Sequence, residues 1–409
     1  MRLKTVVIGG GPAGMIAAYY RAAGGDETLL IEKNEKLGKK LYITGKGRCN
    51  VTKPCEPDAF LDNVATNPKF LKGAIYRFPP SDFIDFLGRK LKLKTERGNR
   101  VYPESDKASD VTKCLESYLH GVGAEISLNE KVLDVKTDGE KVTGVETDKR
   151  SIPCDNVIVC TGGISYPSTG SDGDGYVWAE KLGHTVVKPK PALCGINLKT
   201  VYPELQGISL KNVSIKAFEG DKKIYEDFGE MLFTHFGVSG PVILSASSYL
   251  NKRDVKNSKI TLDLKPAITE EQLDARILRD FEKYKNKLVK NSLDDLLLKA
   301  FIPVIIKNSG IDGNTKNSEL KAQDRKKLVK AIKNFDLFPS SLINIDEAIV
   351  TSGGISVGEI DPKTMESKKV RGLFFAGEII DVDALTGGFN VTIAACTGYC
   401  AGNYLRRKE

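Results

Sequence analysis

The string Gly9-Gly10-Gly11-Pro12-Ala13-Gly14 limits how this chain can fold more than any other segment does. It follows Leu3 to Ile8, a short apolar, β-branched run of the kind that forms a buried parallel strand. It precedes MIAAYYRAA, which reads as a helix, and then TLLIE, a second strand. These pieces make a βαβ unit of about thirty residues. Gly9, Gly11 and Gly14 satisfy the pattern G-x-G-x-x-G, and each has its own task. Gly9 permits the tight turn, Gly11 lets backbone approach a pyrophosphate, and Gly14 lets the helix pack on the strand. Pro12 and Ala13 then open a helix whose free N–H groups and dipole favour a negative charge.

The turn is answered by Glu32 at the end of the second strand, 23 residues after Gly9. About 20 residues is the spacing expected of an acid that accepts hydrogen bonds from ribose hydroxyls. A carboxylate there repels a 2′-phosphate, so FAD or NAD suits the site better than NADP. Two further segments favour FAD. Cys160-Thr161-Gly162-Gly163 closes an apolar strand, Asn156 to Cys160, that is expected to return beside the first. Near the C-terminus, GLFFAGEIIDVDALTGGFNVTIAACTG reads as a strand, then Gly377-Glu378, then glycines opening a helix. A second helix N-terminus could meet the N1–C2=O region of an isoalloxazine ring, which gains negative charge on reduction.

A chain of 409 residues has room for two or three domains. Pro79 to Ala124 reads as mainly helical, and Ser127 to Val145 as alternating strands with a turn at Asp138-Gly139. After about Pro191 the pattern alternates as in antiparallel strands, and from about Ile268 to Phe338 it is helical and rich in lysine. EAIVTSGGI and GLFFAGE read as parallel-type strands. The expected fold is α/β: a Rossmann-like FAD-binding domain over 1–190 and 341–409, interrupted by a β-barrel domain over 191–265 and a helical domain over 266–340.

The formal net charge is +8, and Lys265 to Asp336 carries 16 Lys and Arg against 11 Asp and Glu. A basic stretch attracts nucleic acid or an anionic substrate, or is simply a solvated helical face. Eight cysteines at irregular spacing form no disulfide framework, and three scattered histidines argue against a metal site. The start MRLKTVVIGG has no signal-peptide layout. Ala384 to Leu405 is uncharged and of membrane-spanning length, yet its glycines and asparagines mark a buried turn and helix. A cytoplasmic protein without a membrane partner is expected.

These segments resemble the two-dinucleotide-binding flavoproteins, and one family closely: the bacterial NAD(P)/FAD-dependent, aminoacetone-oxidase-like oxidoreductases, which include 3-dehydro-bile-acid Δ4,6-reductases. The resemblance runs through GGGPAG, KLGKKLYITGKGRCNVT, NRVYPESDKASDV, TGGISYPSTGSDGDGY, MLFTHFGVSGPVIL and GLFFAGEIIDVDALTGGFN, nearly the whole chain. GKGRCN and FTHFGVSGP are far more specific than the glycine string. The resemblance implies FAD, with Gly45, Lys46, Gly47, Arg48, Cys49 and Asn50 along the flavin. It implies the same for Gly377, Glu378, Asp381, Gly388, Phe389, Asn390 and Val391. Lys33, Lys40 and Val132 complete the expected cofactor contacts, with Thr161, Gly162 and Gly163.

No Ser-His-Asp order or carboxylate pair marks a catalytic centre. His235, in Thr234-His235-Phe236-Gly237, is a candidate acid or oxyanion donor, or a structural histidine. Arg100 and Tyr102 could reach a carboxylate or an enone oxygen, and Tyr166 is a further proton-donor candidate. Cys49 and Cys55 raise a redox disulfide, but five residues separate them where disulfide reductases have four. Cys396 and Cys400 share a helical face and read as buried. No second G-x-G-x-x-G follows a strand, so NAD(P)H is expected to dock transiently on the flavin.

Two classes of function follow. One is a reductase in which NAD(P)H drives hydride transfer through flavin N5 to an activated C=C of a small apolar enone, a 3-oxo steroid or bile-acid dienone foremost; amine or aminoketone oxidation is its enzymatic alternative. The other is an FAD-containing nucleic-acid-binding or redox-sensing protein, motivated by Lys326, Lys327, Lys330 and Lys333. That stretch lacks aromatic interleaving suited to base stacking.

Overall fold

The computed structural model describes residues 3–403, with the side chain of Lys46 outside that description. The described residues fall into two compact units, one within 1–192 and 344–409, the other 193–343. In the first unit β1 (Lys4–Ile8) leads through a glycine turn into α1 (Pro12–Ala23) and then β2 (Glu27–Glu32). Three later strands join them: β3 (Glu125–Leu128), β4 (Asn156–Val159) and β5 (Leu373–Phe375). The sheet order is β5-β4-β1-β2-β3, and every pairing is parallel. Val6, Val7, Leu30, Ile158 and Phe374 are all buried, as a parallel sheet covered on both faces requires. The chain runs outward from β1 through β2 to β3, then returns to β4 on the other flank. That reversal opens a crevice beyond the carboxyl ends of β1 and β4, where sheets of this kind bind ligands.

The last helix, α2 (Phe389–Gly402), covers α1. A Cβ at Gly398 would lie 2.4 Å from the Ala13 carbonyl oxygen, and one at Gly402 2.6 Å from that of Ala17, so the crossing depends on small residues. The uncharged run near the C-terminus is thus a packed helix. Among the described residues no helix is long and apolar enough to cross a membrane.

Two sequence expectations change. The helical reading of Pro79 to Ala124 misses a hairpin, Leu93–Glu96 with Arg100–Pro103, between helices Pro80–Gly88 and Ala108–Gly121. Its turn holds Gly98 and Asn99 at φ 82° and 56°, a signal that Gly-Asn offered and the surrounding helical pattern obscured. Val350–Ile355, expected as a parallel-type strand, pairs antiparallel with Val186–Ala192, the two segments that lead out to residue 193 and back from 343. Its six residues are all buried, and an apolar run does not distinguish the two pairings.

In the second unit seven strands form one sheet, built on the long antiparallel pair Ser209–Glu219 and Lys222–Phe233. Helices Glu270–Lys283, Phe301–Ser309 and Ala322–Lys333 join the same core: Ile215, Ile260 and Leu262 of the sheet cluster with Leu273, Ile277 and Ile332 of the helices. Thr269 and Gln272 begin the first of these helices with a reciprocal capping box.

The first unit also contains a buried acid whose ionisation is coupled to stability. Glu130 is 1% exposed and accepts from Arg150 Nε (3.0 Å), Arg150 Nη2 (3.1 Å), Thr147 Oγ1 (2.8 Å) and Ser127 Oγ. Burial alone raises its pKa, but these donors outweigh burial and hold it at about 2, below the ordinary 4.5. A depressed folded-state pKa adds stability that is present above 4.5 and lost as pH falls toward 2. Glu130→Gln is expected to lower unfolding free energy by about 1–3 kcal/mol at pH 7. In urea melts the gap between the two proteins should narrow below pH 4.5; a gap independent of pH would contradict this.

Candidate functional site

The glycine turn lies at the crevice. Gly9 takes φ 104°, its N–H donates to Ile31 O (2.8 Å), and a Cβ there would meet Cys160 O at 2.5 Å. A Cβ on Gly14 would lie 1.9 Å from Gly9 O, and one on Gly10 2.4 Å from Leu37 Cδ2. Gly9 and Gly14 are required by contacts with backbone, whereas Gly10 faces the tip of a side chain. Gly11 is different: a Cβ there meets nothing within 4 Å, and its φ of −74° suits any residue. The space beside it opens onto the N-terminus of α1, which no side chain caps. Glu32 is buried at the rim, where Oε2 accepts from Gly10 N (2.8 Å) and Oε1 from Asn34 N (2.9 Å) and Nδ2 (2.7 Å).

On the other side of the crevice four segments meet in one charged cluster. Lys40 Nζ donates to both Glu378 oxygens (2.9 Å each) and to Ser165 Oγ (2.7 Å). Glu378 Oε1 also accepts from Thr351 N (2.8 Å) and Ser165 Oγ (3.2 Å). Glu378 follows Gly377, at φ 81°, where a Cβ would press on Ala13 at 2.8 Å. Thr351 Oγ1 accepts from the N–H groups of Ile164 (2.9 Å) and Ser165 (3.1 Å), and a Cβ on Gly163 would collide with it at 2.3 Å. The structure therefore unites Gly9 to Gly14, Lys40, Gly163, Gly377 and Glu378. Ser165 and Thr351 were not legible as part of this cluster, since nothing local to either residue marks it.

A second wall joins the loop Gly45 to Asn50 to the start of α2. Gly45, Gly47 and Cys49 all have positive φ, at 56°, 86° and 57°. Gly388, at φ 90°, lies so close that a Cβ would be 2.7 Å from Thr52 N. Asn390 pins the turn before α2: Ala384 N donates to its Oδ1 (2.9 Å) and its Nδ2 donates to Ala384 O (2.8 Å). Phe389 turns into the core against Phe60, with ring centres 5.1 Å apart, while Val391 is half-buried. Asp381 is buried and accepts from Asn67 Nδ2 at Oδ2 (3.0 Å). Asn50 Oδ1 and Thr161 Oγ1 are buried with no hydrogen-bond partner. Gly162, between Thr161 and Gly163, takes φ 76° against Ser171.

Several residues of the expected set have partners within the protein. Arg48 pairs with Glu96 and with Asp106 (2.6 Å), and its guanidinium lies 4.2 Å over the Tyr102 ring. The hydrogen bonds it donates to Glu96 and then Asp106 raise its pKa further, so its charge is satisfied within the protein. Lys33 is held by Asp172 (2.6 Å) and Asp174 (3.2 Å). Val132 is buried at the start of strand Val132–Thr137. Tyr102 is buried beneath Arg48, Arg100 is exposed and donates to Arg97 O (3.2 Å), and Tyr166 is half-buried at φ 52°. His235 is exposed in the second unit, edge-on to Phe236. All eight cysteines are free, and burial pushes the Cys49 thiol up to about 11, which leaves it protonated at neutral pH.

The cleft thus offers open space at a helix N-terminus beside Gly11, a buried acid at the adjacent strand end, and an orphaned amide oxygen, that of Asn50, at a second helix start. A dinucleotide with a diphosphate, a ribose and a polar ring system fits those three features. The family model described as the HI0933-like protein Rossmann domain matches residues 3–404. A 3-dehydro-bile acid Δ(4,6)-reductase from Clostridium scindens is 30% identical over 401 residues, covering 97% of each chain. A ribosomal RNA dihydrouridine synthase from Escherichia coli is 29% identical over 414 residues, covering 100% of this chain and 99% of the relative. Among solved structures, a 3-ketosteroid-Δ4-(5α)-dehydrogenase from Rhodococcus jostii, in complex with 4-androstene-3,17-dione, superposes with a TM-score of 0.53 at 15% identity, over 98% of this chain and 96% of that one. The fold is shared, and the cofactor is FAD.

The glycines separate packing from binding. Gly11→Ala should leave the melting temperature of the apoprotein unchanged while weakening FAD on the order of tenfold or more, since a methyl group enters the open space. Gly14→Ala should lower stability as well, because its Cβ has no room. Thermal melts of both apoproteins with flavin-fluorescence titrations check this; an unstable Gly11→Ala apoprotein would count against it.

Proposed function

The chain belongs to the HI0933-like family of FAD-dependent oxidoreductases, and from that premise we propose that it reduces a carbon–carbon double bond conjugated to a carbonyl, with NAD(P)H as the electron source. The observation that carries the reading is the pair of uncapped helix N-termini, α1 and α2, at one flavin cleft. The first suits a diphosphate and the second the ring edge that becomes negative on reduction. In this reading Gly11 and Ala13 seat the pyrophosphate, Glu32 takes the adjacent ribose, and the Lys40–Glu378 pair lies along the flavin. When bound, FAD would supply two-electron redox chemistry between a nicotinamide donor and the electron-poor carbon. The remaining work belongs to the protein: a donor must polarise the conjugated carbonyl and a proton must reach the second carbon. Tyr166 is the half-buried hydroxyl of the candidate set, whereas the Tyr102 ring is covered by Arg48.

A 3-oxo steroid or bile-acid dienone is the small-molecule substrate that the Clostridium scindens relative suggests. A second reading takes uracil in RNA, whose C5=C6 bond is likewise conjugated to a carbonyl, as the Escherichia coli relative suggests. Charge favours it: the 193–343 unit has 25 Lys and Arg against 19 Asp and Glu. Within it Lys283, Lys285, Lys287, Lys290 and Lys316 are exposed, and backbone pairing sets the segment 285–290 beside 313–318. The helical lysines first considered are partly neutralised, Lys333 by Asp263 (2.7 Å) and Lys327 by Asp324 (2.9 Å).

An anaerobic titration of FAD-loaded protein with NADH and NADPH tests the common reading. Rapid bleaching is expected, followed by recovery of flavin absorbance on adding the acceptor. Recovery with a 3-oxo-4,6-diene supports the steroid form, and recovery only with uridine-containing RNA the second. No bleaching by either nucleotide would overturn both, and peroxide release on adding an amine would point to an oxidase instead.

A further inference from the structure

Asn50 is held at the start of α2 by close backbone packing, where a Cβ on Gly388 would lie 2.8 Å from Thr52 Cα and 3.0 Å from Asn50 Oδ1. The amide oxygen is buried and accepts no hydrogen bond. Leaving such an acceptor unpaired is costly, so its natural complement is a donor brought by a ligand. Beside it α2 presents the opposite demand. Its first-turn N–H groups, from Phe389 to Val391, have no intrahelical acceptor, and no side chain caps the helix. The same corner therefore asks for one donor and, next to it, one or more acceptors.

Resting on the flavin assignment above, we infer that Asn50 Oδ1 accepts the N3–H of the isoalloxazine ring, so that Asn50 is the residue that sets the orientation of the flavin's pyrimidine edge. That edge alternates C2=O, N3–H and C4=O, an acceptor on each side of a donor, which is the complement of an uncapped helix start next to a lone amide oxygen. Diphosphate oxygens provide no donor at neutral pH. Ribityl hydroxyls both donate and accept, and they are the competing partner that the experiment must separate. The adenine lies at the Glu32 end of the cleft in this assignment. Asn390, in the first turn of α2, is excluded from the role because both ends of its amide are spent on Ala384.

The test is a ligand-by-residue cycle on the full-length apoprotein, with binding of FAD and of N3-methyl-FAD followed by flavin fluorescence. The wild-type protein is expected to prefer FAD over N3-methyl-FAD by on the order of 10–100-fold, because methylation removes the donor and strands a buried acceptor. Asn50→Ala should bind FAD more weakly and lose most of that preference. Asn50→Asp, which keeps an acceptor oxygen, should retain it. Thermal melts of the apoproteins establish that each variant folds; should Asn50→Ala not fold, the Asn50→Asp arm decides. An unchanged preference in Asn50→Ala, as expected if ribityl contacts or a water satisfy the oxygen, would overturn the inference. So would an Asn50→Asp variant that folds yet binds FAD and N3-methyl-FAD equally well. Failure of the wild-type protein to bind FAD at all would instead refute the flavin assignment itself.

Discussion

The close approach of α1 to the sheet is the contact on which the first unit depends. Gly14 sits so near the Gly9 carbonyl that no side chain can intervene, and Gly9 is pressed in turn against the Cys160 carbonyl at the end of β4. That packing fixes where the N-terminus of α1 points. It also fixes the distance between β1 and the strand that returns beside it, so the crevice is set by backbone contacts. α2 then crosses α1 at Gly398 and Gly402, which brings the second helix start into the same cleft. A ligand site made from both ends of a long chain follows from one chain of glycine contacts.

Electrostatics then divides the cleft by task. Glu32 is fixed by Gly10 and Asn34, so an acid is held at the rim beside the glycine turn. Lys40 and Glu378 neutralise one another across 338 residues of sequence, at the point where the ends of four segments converge. Arg48, the most conspicuous cation of the glycine-rich loop, serves that loop: its pairs with Glu96 and Asp106 and its stacking on Tyr102 brace the loop against the Leu93–Pro103 hairpin. All eight cysteines are free, and burial keeps the Cys49 thiol protonated at neutral pH.

What could be read from the sequence was what depends on near neighbours. Gly9, Gly11, Gly14 and Glu32 fall within one βαβ unit, and their spacing carries the geometry. The return of Asn156–Val159 beside β1 follows from the same pattern. The resemblance added the loop at Gly45 to Asn50 and the turn before α2, but it did not say which side chains face a ligand. Phe389 and Asn390 belong to packing and loop closure, and Arg48 is spent on acids 48 and 58 residues away. Such pairings leave no local periodicity, and neither does the Thr351–Ser165–Glu378 network. The antiparallel pairing of Val350–Ile355 was hidden for a related reason, because a strand buried on both faces has the same composition in either sheet type.

The most direct measurement is the relative affinity of the apoprotein for FAD and FMN. In the proposed reading the open turn at Gly11 takes the diphosphate and Glu32 the adenosine ribose, and of these FMN keeps one phosphate alone. FAD is therefore expected to bind on the order of 100-fold or more tightly than FMN, the gain of the second phosphate and the adenosine. Equal affinities, or a preference for FMN, would contradict a site organised around the glycine turn.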